Sequence, residues 1–260
     1  MTNDIAIRFL EPEAAEAVAL LAAQMNPPAL HPLMIASCPG YARYVRRVLS
    51  VPSGEREAFF VGALSQGELL GHLEFRPLRE RGALAMNGIA VDRAARAAGV
   101  GRRLHDAAVD YAQREGYARL ECDVFDGNER ARGWFQRLGF SVMHQTLWTI
   151  GPSPAELGDD GASASPVSIR EFAQAEASQE AYGFSSFRAR TARGEFSIGR
   201  IRDEYFRVTD AAALEDRDLL RALGRLDPKR RLLGISRGGA ARPDGFEVVA
   251  SATRMELQLP

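Results

Sequence analysis

Apolar and polar positions along the chain keep two rhythms, a period of two and a period near 3.6, and the switches between them predict the elements. Ile5 to Leu10 alternates and reads as a first strand. Glu11-Pro12-Glu13 opens a helix, with proline in the first turn and acids at its positive end. Ala14, Ala17, Val18, Leu21 and Ala22 form its buried stripe. Met25 to Gly40 holds four prolines and cannot be helical throughout. Tyr41 to Ser50 resumes a helix, with Tyr41, Tyr44, Val45 and Val48 on one side. Ala58–Leu64 and Leu69–Phe75 flank Ser65-Gln66-Gly67-Glu68, a hairpin turn signal. The apolar run Leu84–Val91 is short enough for a buried strand, and an amphipathic helix follows, carrying Val100, Leu104, Ala107, Ala108 and Tyr111 on one face. A strand over Ala118–Phe125, a short helix after Asn128 and a strand over Ser141–Ile150 complete this half.

Residues 151–166 are rich in Gly, Pro, Ser and Ala and read as a linker. Beyond them, 196–210 reads as a strand pair turning near Arg202-Asp203-Glu204, Leu214–Leu226 as a helix and Arg231–Ser236 as a strand. This order echoes the helix and strand of residues 100–125, and Gly139-Phe140-x-Val142 is answered by Gly245-Phe246-x-Val248. The expected organisation is an α/β domain over 1–150, a linker over 151–166 and a smaller, degenerate α/β unit over 167–260.

Chemistry concentrates in residues 84–140. Arg96-Ala97-Ala98-Gly99-Val100-Gly101 is a two-glycine turn between a strand and a helix. Such a turn gathers backbone N–H groups at a positive helix end, which suits a phosphate or pyrophosphate, and a Cβ at either glycine would hold the backbone away from the anion. There is neither the Gly-Lys-Ser/Thr ending of a P-loop nor a dinucleotide G-x-G-x-x-G. The joint pattern is V-x-x-x-x-R-x-x-G-x-G from Val91, then a strand, Asn128-x-x-Ala131, and an aromatic before x-x-x-Gly139-Phe140. It resembles the GNAT acyltransferase superfamily, closely over about 60 residues and loosely over 5–150.

The resemblance implies the GNAT fold, a mixed central sheet flanked by helices, with the C-terminal unit a partial repeat of it. It implies direct transfer of an acyl group from acetyl-CoA to an amine. Ala90 and Val91, at the end of a splayed strand, would bond the pantetheine arm. The backbone at Gly99, Val100, Gly101 and Arg102 would take the pyrophosphate, with Arg96, Arg102 and Arg103 available to pair with phosphates. Asn128 would contact the pantetheine or adenine side. The region from Met25 to Ser50 would cover the acceptor pocket.

Family members often place a tyrosine in the N-x-x-A helix to protonate the departing thiolate; the matching position here is Phe135, after Trp134. Another group or water then does this, the thiolate leaves unassisted, or the protein does not catalyse. For the base, the resemblance points to Asp123, where partial burial would suit a carboxylate to accept a proton. Another common acid position falls on Ala85, which cannot serve, and Glu74 and His144 are weaker candidates. Cys122 faces opposite to Asp123 on a regular strand and reads as core. The second unit lacks both motifs and is not expected to hold coenzyme A; it would complete the acceptor pocket or make a dimer contact.

Composition narrows the partners. At 260 residues and a net charge of −1, with Lys229 the only lysine, the chain lacks the basic face of a nucleic-acid binder. Cys38 and Cys122 form no disulfide framework, and His31, His72, His105 and His144 show no ligand spacing, so a reducing cytoplasm and no structural metal are expected. Residues 1–17 are acidic with no apolar h-region, and no apolar run approaches membrane length, so neither a signal segment nor a membrane span is expected. The expected activity is N-acetyltransfer to a small-molecule amine or peptide, with a homodimer as a possible assembly. The alternative is a catalytically silent acyl-CoA-binding or regulatory protein.

Overall fold

The computed structural model describes residues 5–157, 165–239 and 243–260. In chain order the first elements are β1 (Ala6–Phe9), α1 (Ala15–Ala22), α2 (Tyr41–Leu49), β2 (Phe59–Ser65), β3 (Glu68–Leu78), β4 (Ala83–Val91), α3 (Val100–Arg114), β5 (Arg119–Phe125), α4 (Glu129–Arg137) and β6 (Ser141–Gly151). The later ones are α5 (Pro154–Leu157), β7 (Ser168–Arg170), α6 (Phe172–Tyr182), β8 (Phe184–Thr191), β9 (Gly194–Ile201), β10 (Tyr205–Val208), α7 (Ala211–Leu214), α8 (Arg217–Leu226), β11 (Arg231–Arg237) and β12 (Glu247–Gln258). The proline-rich stretch forms two short 3-10 turns, Pro28–Leu33 and Ile35–Ser37. No helix among the described residues is long and apolar enough to cross a membrane.

Contacts divide the chain into two units that do not follow chain order. The first comprises Met1–His31, Tyr41–Met143 and Thr253–Pro260; the second comprises Pro32–Gly40 and His144–Ala252. The division therefore differs from a cut at residue 150, because β6 passes from the first unit to the second and β12 passes back. Of the linker expected over 151–166, residues 158–164 lie outside the described residues. Its start is helical instead of loose. Ser153 Oγ accepts from Ala155 N at 3.2 Å while Glu156 Oε1 accepts from Ser153 N at 3.1 Å, a capping box that nucleates α5.

In the first unit the strand order is β1-β2-β3-β4-β5, with the end of β12 beside β5. The β2–β3 hairpin turns at Gln66 and Gly67, both at positive φ, as a two-residue type I′ turn requires. β4 and β5 are parallel, joined through α3. Leu73, Phe75, Leu84 and Met86 share a core with Val100, Leu104, Ala108 and Ala112 of α3, and Tyr111 closes on Phe75 with ring centroids 4.9 Å apart. Side chains alternate across a strand, so His72, Glu74 and Arg76 point to the opposite face of β3, where α1 and α2 lie.

The second unit repeats the plan in the order β7-β8-β9-β10-β11, with β6 beside β11. β10 and β11 are parallel across α8, as β4 and β5 are across α3. The echo in sequence holds in three dimensions. Gly139 and Gly245 both take positive φ, Phe140 and Phe246 are both buried, and Val142 and Val248 are both exposed. The helix expected over 214–226 is broken at Asp216, which caps α8.

Candidate functional site

The parallel ladder between β4 and β5 stops at Met86 paired with Cys122. From Asn87 to Val91 β4 stays with β3 alone, so the two strands part and leave a wedge. One feature of β4 marks where it opens. Glu74 pairs with Gly88 and Phe75 with Met86, which makes Asn87 the extra residue of a β-bulge.

The two-glycine turn sits past the wide end of the wedge. Gly99, at φ +79°, precedes α3, and no side chain caps the helix. The first backbone bond closing α3 is Arg103 N to Gly99 O at 3.1 Å, so the amides of Val100, Gly101 and Arg102 come before any such bond. A Cβ at Gly99 would meet nothing within 4 Å, leaving the turn open. At Gly101 a Cβ would lie 3.5 Å from Trp134 and 3.8 Å from Val91, so the wedge, the helix start and α4 converge there. The second unit differs at the matching point. Buried Asp216 accepts from Leu219 N at 3.1 Å and from the Thr191 hydroxyl at 2.6 Å, so a carboxylate already satisfies that helix start. Open amides, a wedge of unpaired β4 edge and no carboxylate in the first-unit turn are what a diphosphate with a linear arm requires.

The structure brings Ala90, Val91, Gly99, Val100, Gly101 and Asn128 around this wedge, and it gives several side chains local work as well. Arg96 Nε donates to Val91 O at 3.2 Å, bracing the end of β4. Arg102 pairs with Asp106 one helical turn on, at 2.9 Å, so the amide of Arg102 is what it offers the turn. Asn128 Oδ1 accepts from Ala131 N at 3.1 Å and caps α4, which gives the N-x-x-A spacing a physical basis in the capping bond. Phe135 is buried edge-on between Trp134 and Phe140, with no hydroxyl to donate.

The carboxylates divide sharply. Asp123, with a side chain 40% exposed, is not a free carboxylate: both its oxygens are taken by Arg254. Its strand neighbour Cys122 is core, and burial pushes its thiol up to about 12, out of reach as a nucleophile. His144 lies on the part of β6 that belongs to the second unit. Glu74, by contrast, stands at the bulge, 9% exposed. Its Oε2 accepts from the Tyr41 hydroxyl at 3.1 Å, and its Oε1 accepts from Asn87 Nδ2 at 3.0 Å and Arg76 Nε at 3.3 Å. Arg76 Nη2 donates to the Tyr44 hydroxyl at 2.8 Å. Burial, and then the charge of Glu74, pushes the Tyr41 phenol well above its usual range, so it stays a donor. Sequence reasoning read Tyr41 and Tyr44 as packing and passed over Asn87. The available signal was Asn87-Gly88, a turn-type pair inside an apolar strand.

Residues 29–140 match the family model described as the acetyltransferase (GNAT) family. None of the curated proteins compared with the chain matches it. Among solved structures, a tandem GNAT protein from the clavulanic acid biosynthesis pathway is 15% identical, with 98% of each chain covered and a TM-score of 0.64. A GCN5-related N-acetyltransferase from Sphaerobacter thermophilus is 15% identical, covering 98% of this chain and 95% of its own, at a TM-score of 0.59. Likeness at this identity speaks to fold alone. The chain thus carries a GNAT-family acetyltransferase domain, a family that implies acyl-CoA-dependent acetyl transfer, within the fold of a tandem GNAT protein.

Proposed function

We propose that this protein transfers an acetyl group from acetyl-CoA to a primary amine of a small molecule or peptide by direct attack. The observation that carries the reading is the uncapped start of α3 behind Gly99, set at the mouth of the wedge that opens after Met86. The amides of Val100, Gly101 and Arg102 would hold the pyrophosphate, and the free β4 edge through Ala90 and Val91 would align the arm. Asn128, with Oδ1 engaged in the cap, keeps its Nδ2 to donate. Bound there, the thioester supplies an activated acyl group. The chain's part is to hold it against the acceptor, the largest contribution available to a reaction between two bound partners. Asp123, the base that the resemblance implies, is held by Arg254 through both oxygens and is a poor proton acceptor.

Calorimetry with acetyl-CoA, followed by thiol release across a panel of amines, tests the reading. Binding with turnover supports it, and Gly101→Glu, which places a carboxylate among the amides, is expected to abolish both. Phe135 favours a second reading, a silent acyl-CoA-binding protein, for which binding would occur with no thiol released from any amine.

A further inference from the structure

We propose that Glu74 and Arg76 form the acceptor site, and that they select an amine bearing a carboxylate close by, such as an amino acid. The proposal deepens the acyltransferase reading and rests on it.

A groove of about 550 Å³ lies between residues 54–57 and residues 76–81, and Arg76 lines it. This is the β3–β4 hairpin end of the sheet, opposite to the end where Val91 meets the glycine turn. A thioester arriving from the glycine turn and an acceptor arriving from the groove would meet midway along β4. Midway is the bulge, where Asn87 and Glu74 stand.

The two charges are graded along that path. Arg76, on the groove side, has a side chain 39% exposed; Glu74, two residues inward on the same face, is at 12%. The groove mouth carries charges of both signs, Glu55, Glu57 and Glu80 with Arg56, Arg79 and Arg81; inward from it along β3, Arg76 comes before Glu74, which stands next to the bulge. Glu74 Oε1 and Arg76 Nε are 3.3 Å apart, so an amine and an anionic group one or two carbons apart can bridge the pair. A zwitterion replaces one ion pair with two and adds no net charge to a poorly hydrated place. A simple monoamine leaves Arg76 with a weakened partner, and a polyamine adds repulsion.

Tyr41 and Asn87 hold the carboxylate of Glu74 in place for the reaction. Two residues further along the same face, His72 is 1% exposed with neither ring nitrogen hydrogen-bonded, unused polar capacity beside the same carboxylate. Before the step, the bound ammonium gives one proton to Glu74, which frees the nitrogen lone pair. The nitrogen then bonds to the acyl carbon, the carbon–sulfur bond breaks with its electron pair on sulfur, and the second proton shed by nitrogen leaves on that sulfur as thiol.

The test uses the full chain and acetyl-CoA, with thiol release as the readout and acetyl-CoA affinity measured separately. Amino acids are compared with their amides and with the amines lacking the carboxylate. The wild-type protein is expected to show kcat/KM at least tenfold higher for the carboxylated acceptors. Arg76→Met should erase that preference through KM, while Glu74→Gln should lower kcat about a hundredfold for every acceptor with acetyl-CoA affinity unchanged. Equal kcat/KM for amino acids and their amides in the wild-type protein, with acetyl-CoA bound, overturns the selectivity. Wild-type turnover in Glu74→Gln overturns its catalytic role. Failure of the wild-type protein to bind acetyl-CoA would instead remove the acyltransferase reading, and this assignment with it.

Discussion

Arg254, on the last strand of the chain, holds both carboxylate oxygens of Asp123, Nε at 2.7 Å and Nη2 at 2.5 Å. Both oxygens are clamped at short range by one guanidinium, which a proton would have to displace. Glu74, by contrast, meets Arg76 through one oxygen only, at 3.3 Å, with a neutral phenol on the other. Asp123→Asn is therefore expected to leave kcat/KM within about threefold of wild type. The pair is well over a third exposed on the Asp123 side, so its loss should cost no more than about 1 kcal/mol. Steady-state kinetics beside a thermal melt checks both, and a loss of kcat of a hundredfold or more would return Asp123 to the role of base.

The third contact of Arg254 leads to a different expectation. Its Nη1 donates to Glu121 at 3.0 Å, and Glu121 is fully buried. Arg81 Nη2 reaches both oxygens at 2.9 Å and Arg119 Nε reaches one at 3.0 Å. Burial by itself would raise the pKa of Glu121, but bonds from Arg119 and Arg254 and the charge of Arg81 outweigh it and hold the carboxyl below its usual range. Glu121→Gln leaves three guanidiniums facing a neutral amide and is expected to cost about 3 kcal/mol at pH 7. A depressed carboxylate contributes stability above its unfolded pKa and loses it as pH falls through the folded value. The gap between wild type and Glu121→Gln in chemical denaturation should therefore narrow below about pH 4.5.

What the sequence made legible follows from where each signal resides. The first-unit strands and helices carry their period in contiguous residues, and the glycine turn and N-x-x-A are local conformational demands, so all could be read directly. Residues 167–195 gave no reading, yet they form β7, α6 and β8. Among α6 residues only Ala175 is buried, so no apolar stripe advertises the helix. The partners of Glu74 come from α2, β3 and β4, and the partner of Asp123 lies 131 positions away. Neither spacing nor composition encodes such pairings; they exist only once the sheet has formed.

Asn128 has two roles that can be separated. Its Oδ1 caps α4 through Ala131 N. Asn128→Ala should cost about 1 kcal/mol, a lowering of the melting temperature by a few degrees. Asn128→Asp keeps the cap and adds a favourable charge at the helix start, so stability should return to the wild-type level. The donor Nδ2 is lost in both variants, and the acetyl-CoA dissociation constant is expected to rise about tenfold in each. Affinity that recovered along with stability in Asn128→Asp would reduce Asn128 to a cap alone.

His72 ties the acceptor face to acid stability. Both ring nitrogens are buried without hydrogen bonds, and burial, only partly offset by the nearby charge of Glu74, lowers its pKa from 6.5 to about 4. The folded protein thus holds this ring neutral where the unfolded chain would protonate it. Stability from this residue is fully present above pH 6.5 and falls as pH drops toward 4. Across that window the loss amounts to ~3 kcal/mol. Phenylalanine cannot take up a proton, so His72→Phe should flatten the acid limb of a stability-against-pH curve, whatever its effect at pH 7. Urea denaturation of both proteins at half-unit steps from pH 7 to pH 4 checks this. Parallel curves would mean that the ring is hydrated or hydrogen-bonded in solution, and that its burial does not govern the acid response.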